Sequence, residues 1–590
     1  MYIDDCTYTR GGKTYRRVLM RNSYRVDGVV RHDTIANLSH CRDDEITAMK
    51  LALKNKGQLE KLGTLNDCSS RQGLSVGAVW CFFQLAKQLG LIKIFGQSRN
   101  AMLSLWLVFA ALIAQGSRLS AARLAQKHAV CDILNLDSFN EDDLYCAMDW
   151  LENQQDTIEQ AMFANRYNNG EEAPNLFLYD VTSSYLEGDQ NELAQYGYDR
   201  DKKKGKTQIV IGLLTDDVGR PISVEVFDGN TQDTQTVASQ IEKLQKRFSV
   251  KQVTLVGDRG MLKSAQISVL NAVGFNYITA ITKPQIKTLI KEGVIQLSLF
   301  DDKIMEVMDN GTRYVLRRNP VRALEIAKSR EKKYKFLQDF VTDQNVYLAE
   351  HPRAKAEIAL RKVNEKIGKF SFQEWVVPNI ETNNNSTQQD DNIDLKNIDG
   401  NSGSENHDDN KEKSQRPYPE NRILALTIND EKKQEQCLLD GCYVIKSDLS
   451  TEAASGDVIH SRYKDLAKVE NAFRTMKTTL LEMRGIFVRK EKRTRSHVFI
   501  IMLAYLIAFE LHSRWYDVEA TVEEGIDELT SICSVHLDIA GQHHAQVIPE
   551  PRPLGKMLLE KLKITLPDAI PHKNVAVVAR KTLVSERKSS

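Results

Sequence analysis

The chain has no CxxC pair, and its nine cysteines stand apart at positions 6, 41, 68, 81, 131, 146, 437, 442 and 533. That odd, scattered set offers neither a zinc ribbon nor a disulfide framework, and it fits a reducing cytoplasm. Long apolar runs are missing too. The longest, "AMLSLWLVFAALIA" at 101–114, is shorter than the roughly 20 residues a bilayer requires. The N-terminus "MYIDDCTYTRGG" lacks the charged-then-apolar plan of a signal peptide, so neither a membrane nor export is expected. There is no excess of charge either. Lys and Arg total 80 against 79 Asp and Glu, a net charge of +1, which gives no global electrostatic footprint for nucleic acid.

What is present is length and local texture. A chain of 590 residues is too long for one core, so several domains are expected. Basic runs occur at 199–206 ("DRDKKKGK"), 328–335 ("KSREKKYK") and 488–495 ("VRKEKRTR"). Taken singly, such a run is more often a solvated face than a binding site, and its weight depends on where the fold puts it.

The first part, 1–65, alternates apolar and polar residues around an Asp27-Gly28 hairpin turn and reads as a small β-rich segment. Residues 66–170 turn helical. Here "LSLWLVFAALIAQ" is apolar nearly all round, as a buried helix would be, and "GSRLSAARLAQKHAV" at 116–130 suits either a helix-turn-helix piece reading DNA ends or a core helix with a polar edge. From 171 to 285 the order is three strands (175–185, 207–215, 221–229), a helix from Asp233, a strand (251–258), a helix and a fifth strand (275–282). That is the order of an RNase H-like core, a mixed five-stranded α/β sheet with flanking helices whose first and fourth strands lie side by side. Asp180 ends the apolar run of the first strand and Asp258 that of the fourth. Two carboxylates meeting at one sheet edge repel unless a cation lies between them, which makes a divalent-metal site the reading for the pair; either acid alone would as readily cap a strand end.

Residues 286–449 interrupt this core as a β-containing insertion, and 379–420 within it, almost without apolar residues, reads as a disordered linker. The core resumes over 450–515, and 516–590 reads as a C-terminal helical region. The segment "YKDLAKVENAFRTMK" at 463–477 carries an unusual stripe. At about 100° per residue, Glu470, Arg474 and Lys477 fall on one helix face with Tyr463, none more than about 40° from it around the axis. One acid and two bases make a poor core face, and they suit a helix lying along a phosphate backbone beside a metal. As the last helix of an RNase H-like fold, it would bring Glu470 to the metals held by Asp180 and Asp258.

The segments "LYDVTSSY", "VGDRGM" and "YKDLAKVENAFRTMK" resemble the three acidic motifs of the DDE transposases of bacterial insertion sequences. More narrowly, they resemble the insertion sequence four superfamily, whose last motif is Tyr-x2-Arg-x3-Glu-x6-Lys. Tyr463, Glu470 and Lys477 match that spacing. Leu466 stands where the pattern has Arg, and Arg474, one turn beyond Glu470, is the residue that helical geometry offers in compensation.

The resemblance implies that Asp180, Asp258 and Glu470 bind two Mg²⁺ ions, with Mn²⁺ able to substitute, and catalyse cleavage of the terminal inverted repeats followed by transfer of the 3′-hydroxyl ends to target DNA. It also implies that Tyr463 and Lys477 hold phosphates or an extruded base, and that a homodimer assembles on the two DNA ends in the bacterial cytoplasm, at the nucleoid. Arg474, Arg259 and Lys263 are added as DNA-phosphate contacts because they stand beside the acids. Two alternatives stay open: a catalytically inactive transposase-derived DNA-binding protein, and an RNase H-like nuclease that cuts without joining.

Overall fold

The computed structural model describes residues 1–57, 68–167, 174–188, 190–198, 200–201, 203–381, 422–483, 486–539 and 543–571, with 573, 575, 577 and 578 beyond them. Strands β1 (Tyr2–Arg10), β2 (Lys13–Val26) and β3 (Val29–Asn37) form an antiparallel sheet. Both connections are two-residue turns, Gly11-Gly12 and Asp27-Gly28, with φ between 50° and 80° at every central position. This mirror-image turn matches strand twist, and glycine enters it without a Cβ penalty. Helix Asp43–Lys54 covers a small core of Val18, Leu38 and Ile46.

A strand β4 (Cys68–Ser75) precedes the helices. The central strands then follow: β5 (Leu176–Tyr185), β6 (Gln208–Asp216), β7 (Pro221–Asp228), β8 (Thr254–Gly257) and β9 (Asn276–Ala280). The insertion contributes β10 (Met305–Asp309), β11 (Thr312–Arg318), β12 (Val376–Glu381), β13 (Ile423–Ile428) and β14 (Cys442–Ser447). The sheet order is β10-β11-β14-β9-β8-β5-β6-β7. Its last five members are the expected RNase H-like set, with β5 and β8 paired in parallel. The sheet nevertheless has eight strands rather than five. Three strands of the insertion add to β9, whose outer edge would otherwise expose unpaired backbone donors and acceptors. The rest of the insertion builds its own core around Trp375 from helices Pro320–Glu350 and Ala356–Phe370 and the β12-β13 pair. The expected linker 379–420 therefore begins inside β12, and its remainder from 382 onward lies outside the described residues.

Helices cover both faces of the central sheet. On one side Asp233–Glu242 and Ser264–Ala272 pack over Phe177, Tyr179, Val210 and Leu255. On the other, Leu466–Arg474 and Glu491–Arg514 pack over Leu178, Ile209, Leu213 and Val256 in a much larger core. That core also takes in Arg99–Ile113 and Glu141–Tyr167, through side chains such as Trp106, Phe109 and Met148. Residues 66–170 thus do not stand apart as a helical domain. Each large side chain buried there contributes about 1.5–3 kcal/mol relative to exposure, so separating the helices from the sheet would cost both partners.

Helix Glu491–Arg514 is long and apolar enough by composition to cross a membrane, yet 78% of its apolar window is buried inside the fold, where it packs against Arg99–Ile113, Glu141–Tyr167 and β7. The 116–130 segment is likewise a core element. Helix Arg118–Ala125 buries Ala121, Ala122 and Ala125, and the next helix, Val130–Ile133, is a single turn, too short to serve as a recognition helix. The C-terminal region also departs from the helical reading. Helices Val522–Thr530 and Pro553–Lys561 are present, but β15 (Cys533–Ile539) and β16 (His543–Val547) lie between them and join β4 in a three-stranded sheet.

Candidate active site

Strand β5 does not stop at Asp180. It pairs with β6 as far as Tyr185↔Gln208, whereas its parallel pairing with β8 ends at Tyr179↔Gly257. Asp180 therefore sits in mid-strand, one residue beyond the last β8 pair, and Asp258 is the first residue past β8. Adjacent strands lie about 4.8 Å apart, so this register puts the two carboxylate-bearing positions side by side where β8 gives way to a loop. Asp258 is exposed, and its Oδ1 accepts the Arg259 backbone N–H at 2.8 Å.

The helix that carries Glu470 is built in pieces. Gly456–Lys464 and Leu466–Arg474 meet at Asp465, and a π-helical turn spans Thr475–Thr479. Leu466, Val469, Ala472 and Phe473 face the core, while Glu470 is exposed. The packing aims Glu470 toward the aspartates. Burial pushes the Asp180 carboxyl up to about 7, and the negative charges of Asp258 and Glu470 add to it, against the Val181 backbone N–H and the Arg200 guanidinium. Both other carboxylates thus act on Asp180. Tyr463 completes the cluster. Its hydroxyl donates to Asp258 Oδ1 at 3.3 Å, and burial together with Asp258 raises the phenol above its ordinary range. It is held protonated, as a donor and not a nucleophile.

Two charged residues at the centre were not singled out by sequence. Arg200 pairs with Asp233 at 2.5 Å, and Asp233 opens helix Asp233–Glu242. Arg200 sits in the basic 199–206 run, and its distinction from the neighbouring lysines lies in the fold alone. The same run carries Asp201, which answers the Lys477 question differently from the stripe. Lys477 is buried; its Nζ donates to Thr182 Oγ1 at 3.0 Å, the Ser183 carbonyl at 2.6 Å and Asp201 Oδ1 at 2.7 Å. The π turn has more residues per revolution than an α-helix, so it rotates Lys477 off the Glu470 face. An expectation of Lys477 on the DNA-facing stripe is thereby corrected: it is an internal strut between the Glu470 helix, β5 and the basic loop. Arg474, Arg259 and Lys263 are exposed, the last as N-cap of helix Ser264–Ala272. Leu466, at the position of the motif arginine, is buried in the main core.

The donor set is hard, oxygen-only and mutually repulsive, which suits a divalent cation over a softer metal. Among the described residues no three Asp, Glu, His or Cys side chains already stand as a closed metal-ligand group. Glu470, being exposed, has the rotamer freedom to close on the aspartate pair.

An RNase H-like sheet with acids at β5, at the end of β8 and on the closing helix defines a class of enzymes that act on nucleic acid phosphodiesters. Comparison with known proteins narrows the class. The family described as Transposase DDE domain matches residues 171–507, and the N-terminal domain of IS1634 family transposases matches residues 6–63. The chain belongs to the DDE transposase family: it is the transposase of an insertion sequence, an enzyme that acts on DNA. Members of that family use divalent metal ions.

No curated protein matches the chain. Among solved structures, similarity is found to a piggyBac transposase synaptic complex with hairpin DNA, at 9% identity and a TM-score of 0.36 over 84% of this chain and 83% of that one. A Mos1 transposase paired-end complex with the left transposon end is similar at 13% identity and a TM-score of 0.14, over 31% of this chain and 58% of that one.

Proposed function

We propose that Asp180, Asp258 and Glu470 are the catalytic carboxylates of this transposase, and that it cleaves the terminal inverted repeats of its element and transfers the freed 3′-hydroxyl ends to target DNA. The observation that carries this reading is the register that sets Asp180 one residue beyond the last β5–β8 pair, beside Asp258, with the charges of Asp258 and Glu470 both acting on its carboxyl. A buried carboxylate with two further acids acting on it is an arrangement that a cation favours. Two Mg²⁺ ions, or Mn²⁺ in their place, held by the three carboxylates would polarise the scissile phosphate and stabilise the departing 3′-oxygen.

The chain's own groups do the rest. Tyr463 keeps Asp258 oriented through its hydroxyl. Arg200, whose charge acts on Asp180, offers a guanidinium to a bound phosphate when it leaves Asp233. Arg259, Lys263 and Arg474 are free at the surface to follow the DNA backbone on either side of the cut. Lys477 acts from within, tying Asp201 to the strand that bears Asp180. Joining two ends in one event calls for a homodimer assembled on DNA, and the Tyr463-Glu470-Lys477 spacing fits the insertion sequence four superfamily.

The test is nicking of duplex DNA carrying the element's terminal repeats, in Mg²⁺, in Mn²⁺ and in EDTA. Products in both metals and none in EDTA support the reading. Cleavage that persists in EDTA rejects it.

A further inference from the structure

Away from the acidic centre, a cavity of about 800 Å³ lies between helix Arg99–Ile113, the start of helix Arg118–Ala125 and the stretches 481–483 and 486–501. One wall is apolar, with Leu107, Ala110 and Ile501; the mouth is formed by exposed Gln115, Ser117 and Phe487. At its base are two nitrogen-bearing groups that the catalytic reading does not use. The Arg118 guanidinium contacts Met148 Sδ at 3.2 Å and the Gly116 carbonyl at 3.4 Å, and its Nε is buried without a hydrogen-bond partner. Among the described residues no carboxylate pairs with it. His497 Nδ1 is buried without a partner as well. Burial pushes the guanidinium down and the imidazole to about 3, with Arg118 adding to the latter shift.

Other charges at the cavity are mostly positive. Arg489, Lys490 and Arg493 line it, and Glu482 is the acid among its lining residues. Arg493 is already occupied, paired with Asp149 at 2.8 Å and 4.7 Å above the Tyr145 ring. A guanidinium without a counter-ion, inside a space large enough for a ligand, is an unfavourable arrangement that an anion would relieve.

We propose that this cavity is a phosphate-binding site, with Arg118 as its fork-shaped donor, His497 as its second donor and the apolar wall accommodating the body of the phosphate ester. The phosphate belongs to a DNA strand contacted away from the cut, an assignment of source that rests on the function proposed above. Geometry supports that source. Ile486, on the cavity wall, forms an isolated bridge with Leu186, the residue after β5 and six beyond Asp180. Six residues of strand span roughly 20 Å at about 3.3 Å each, which corresponds to about six steps of a duplex at ~3.4 Å per step. One DNA segment can therefore reach both places.

The experiment uses the full chain and inorganic phosphate, titrated at constant ionic strength against chloride, with the thermal midpoint as readout, for wild type, Arg118→Met and Glu470→Gln. The proposal expects phosphate to raise the midpoint of wild type and of Glu470→Gln and to have no effect on Arg118→Met. Removing a desolvated charge should not unfold the protein; if Arg118→Met does fail to fold, Arg118→Lys, which keeps charge and loses the fork, is expected to show a weakened response. Salt-dependent binding of duplex DNA then separates the sources. A slope of log K against log salt that is shallower by about one in the Arg118 variant assigns the phosphate to DNA. An unchanged slope overturns that source while retaining a site for free or nucleotide phosphate. No phosphate response in wild type, or an equal response in the Arg118 variants, overturns the site itself. Loss of the catalytic reading, seen as normal cleavage by Glu470→Gln, would leave the phosphate titration unchanged.

Discussion

Asp180 holds its proton more tightly in the folded chain than in the unfolded one, and that has a direction. Its carboxyl moves from 3.8 to about 7 on folding, so the folded state binds the extra proton between those values. Stability contributed by this group is therefore full below about pH 4 and declines as pH rises toward 7. Asp180→Asn removes the titration. In chelator at pH 8 the variant should be more stable than wild type by about 2–4 kcal/mol, the difference vanishing near pH 4, and divalent cation should narrow it by stabilising wild type alone. Thermal melts across pH check this; a variant less stable than wild type at pH 8 would show that the carboxylate is not under strain. Leu466 gives a second residue-scale outcome. Because it is buried in the main core, restoring the motif arginine by Leu466→Arg places a charge among apolar side chains and should lower stability by about 2–5 kcal/mol. An unchanged melting temperature would mean the new side chain escapes to solvent.

At the scale of elements, the Lys477 strut makes the sharpest claim. Lys477 and Asp201 are both nearly fully buried and 2.7 Å apart. Lys477→Met takes the ammonium away from the buried Asp201 carboxylate and should cost about 3–5 kcal/mol, whereas the double variant Lys477→Met, Asp201→Asn should recover a large part of it. Additive losses in that cycle would contradict a coupled pair. This strut also marks where local pattern stops informing. The five core strands, the buried Arg99–Ile113 helix and the Asp27-Gly28 hairpin were legible because alternation, all-round apolarity and turn chemistry are local. The stripe of Tyr463, Glu470, Arg474 and Lys477 holds only for one uninterrupted α-helix. The π turn at Thr475–Thr479 breaks that phase, and nothing in "TMKTT" announces it. Edge pairing was illegible for a similar reason: β14 reads as a strand, but its antiparallel register with β9 depends on which edge is open in three dimensions. Arg200 and Asp233 were missed because their partnership spans a loop and a helix start.

Over the whole molecule, the expected series of domains gives way to a shared core. Helices from 77–167 pack with Glu491–Arg514 and with the helices beyond it, and β4 pairs with β15. Removing residues 516–590 should therefore unfold the 68–167 region along with them, seen as loss of the main cooperative transition. By contrast, residues 1–57 have their own small core, and deleting them should leave the main transition within a few degrees of its original position. The opposite pattern, a stable C-terminal truncation and a collapsed N-terminal one, would refute this packing.

The most direct test of the central claim is joining of labelled terminal-repeat DNA to a target by wild type and by Asp180→Asn, Asp258→Asn and Glu470→Gln, with end binding measured in parallel. The account predicts that each variant binds DNA to within a few-fold of wild type and yields no cleaved or joined product, a loss of more than about 10³-fold. Near-wild-type joining by any one of the three would remove that carboxylate from the centre described here.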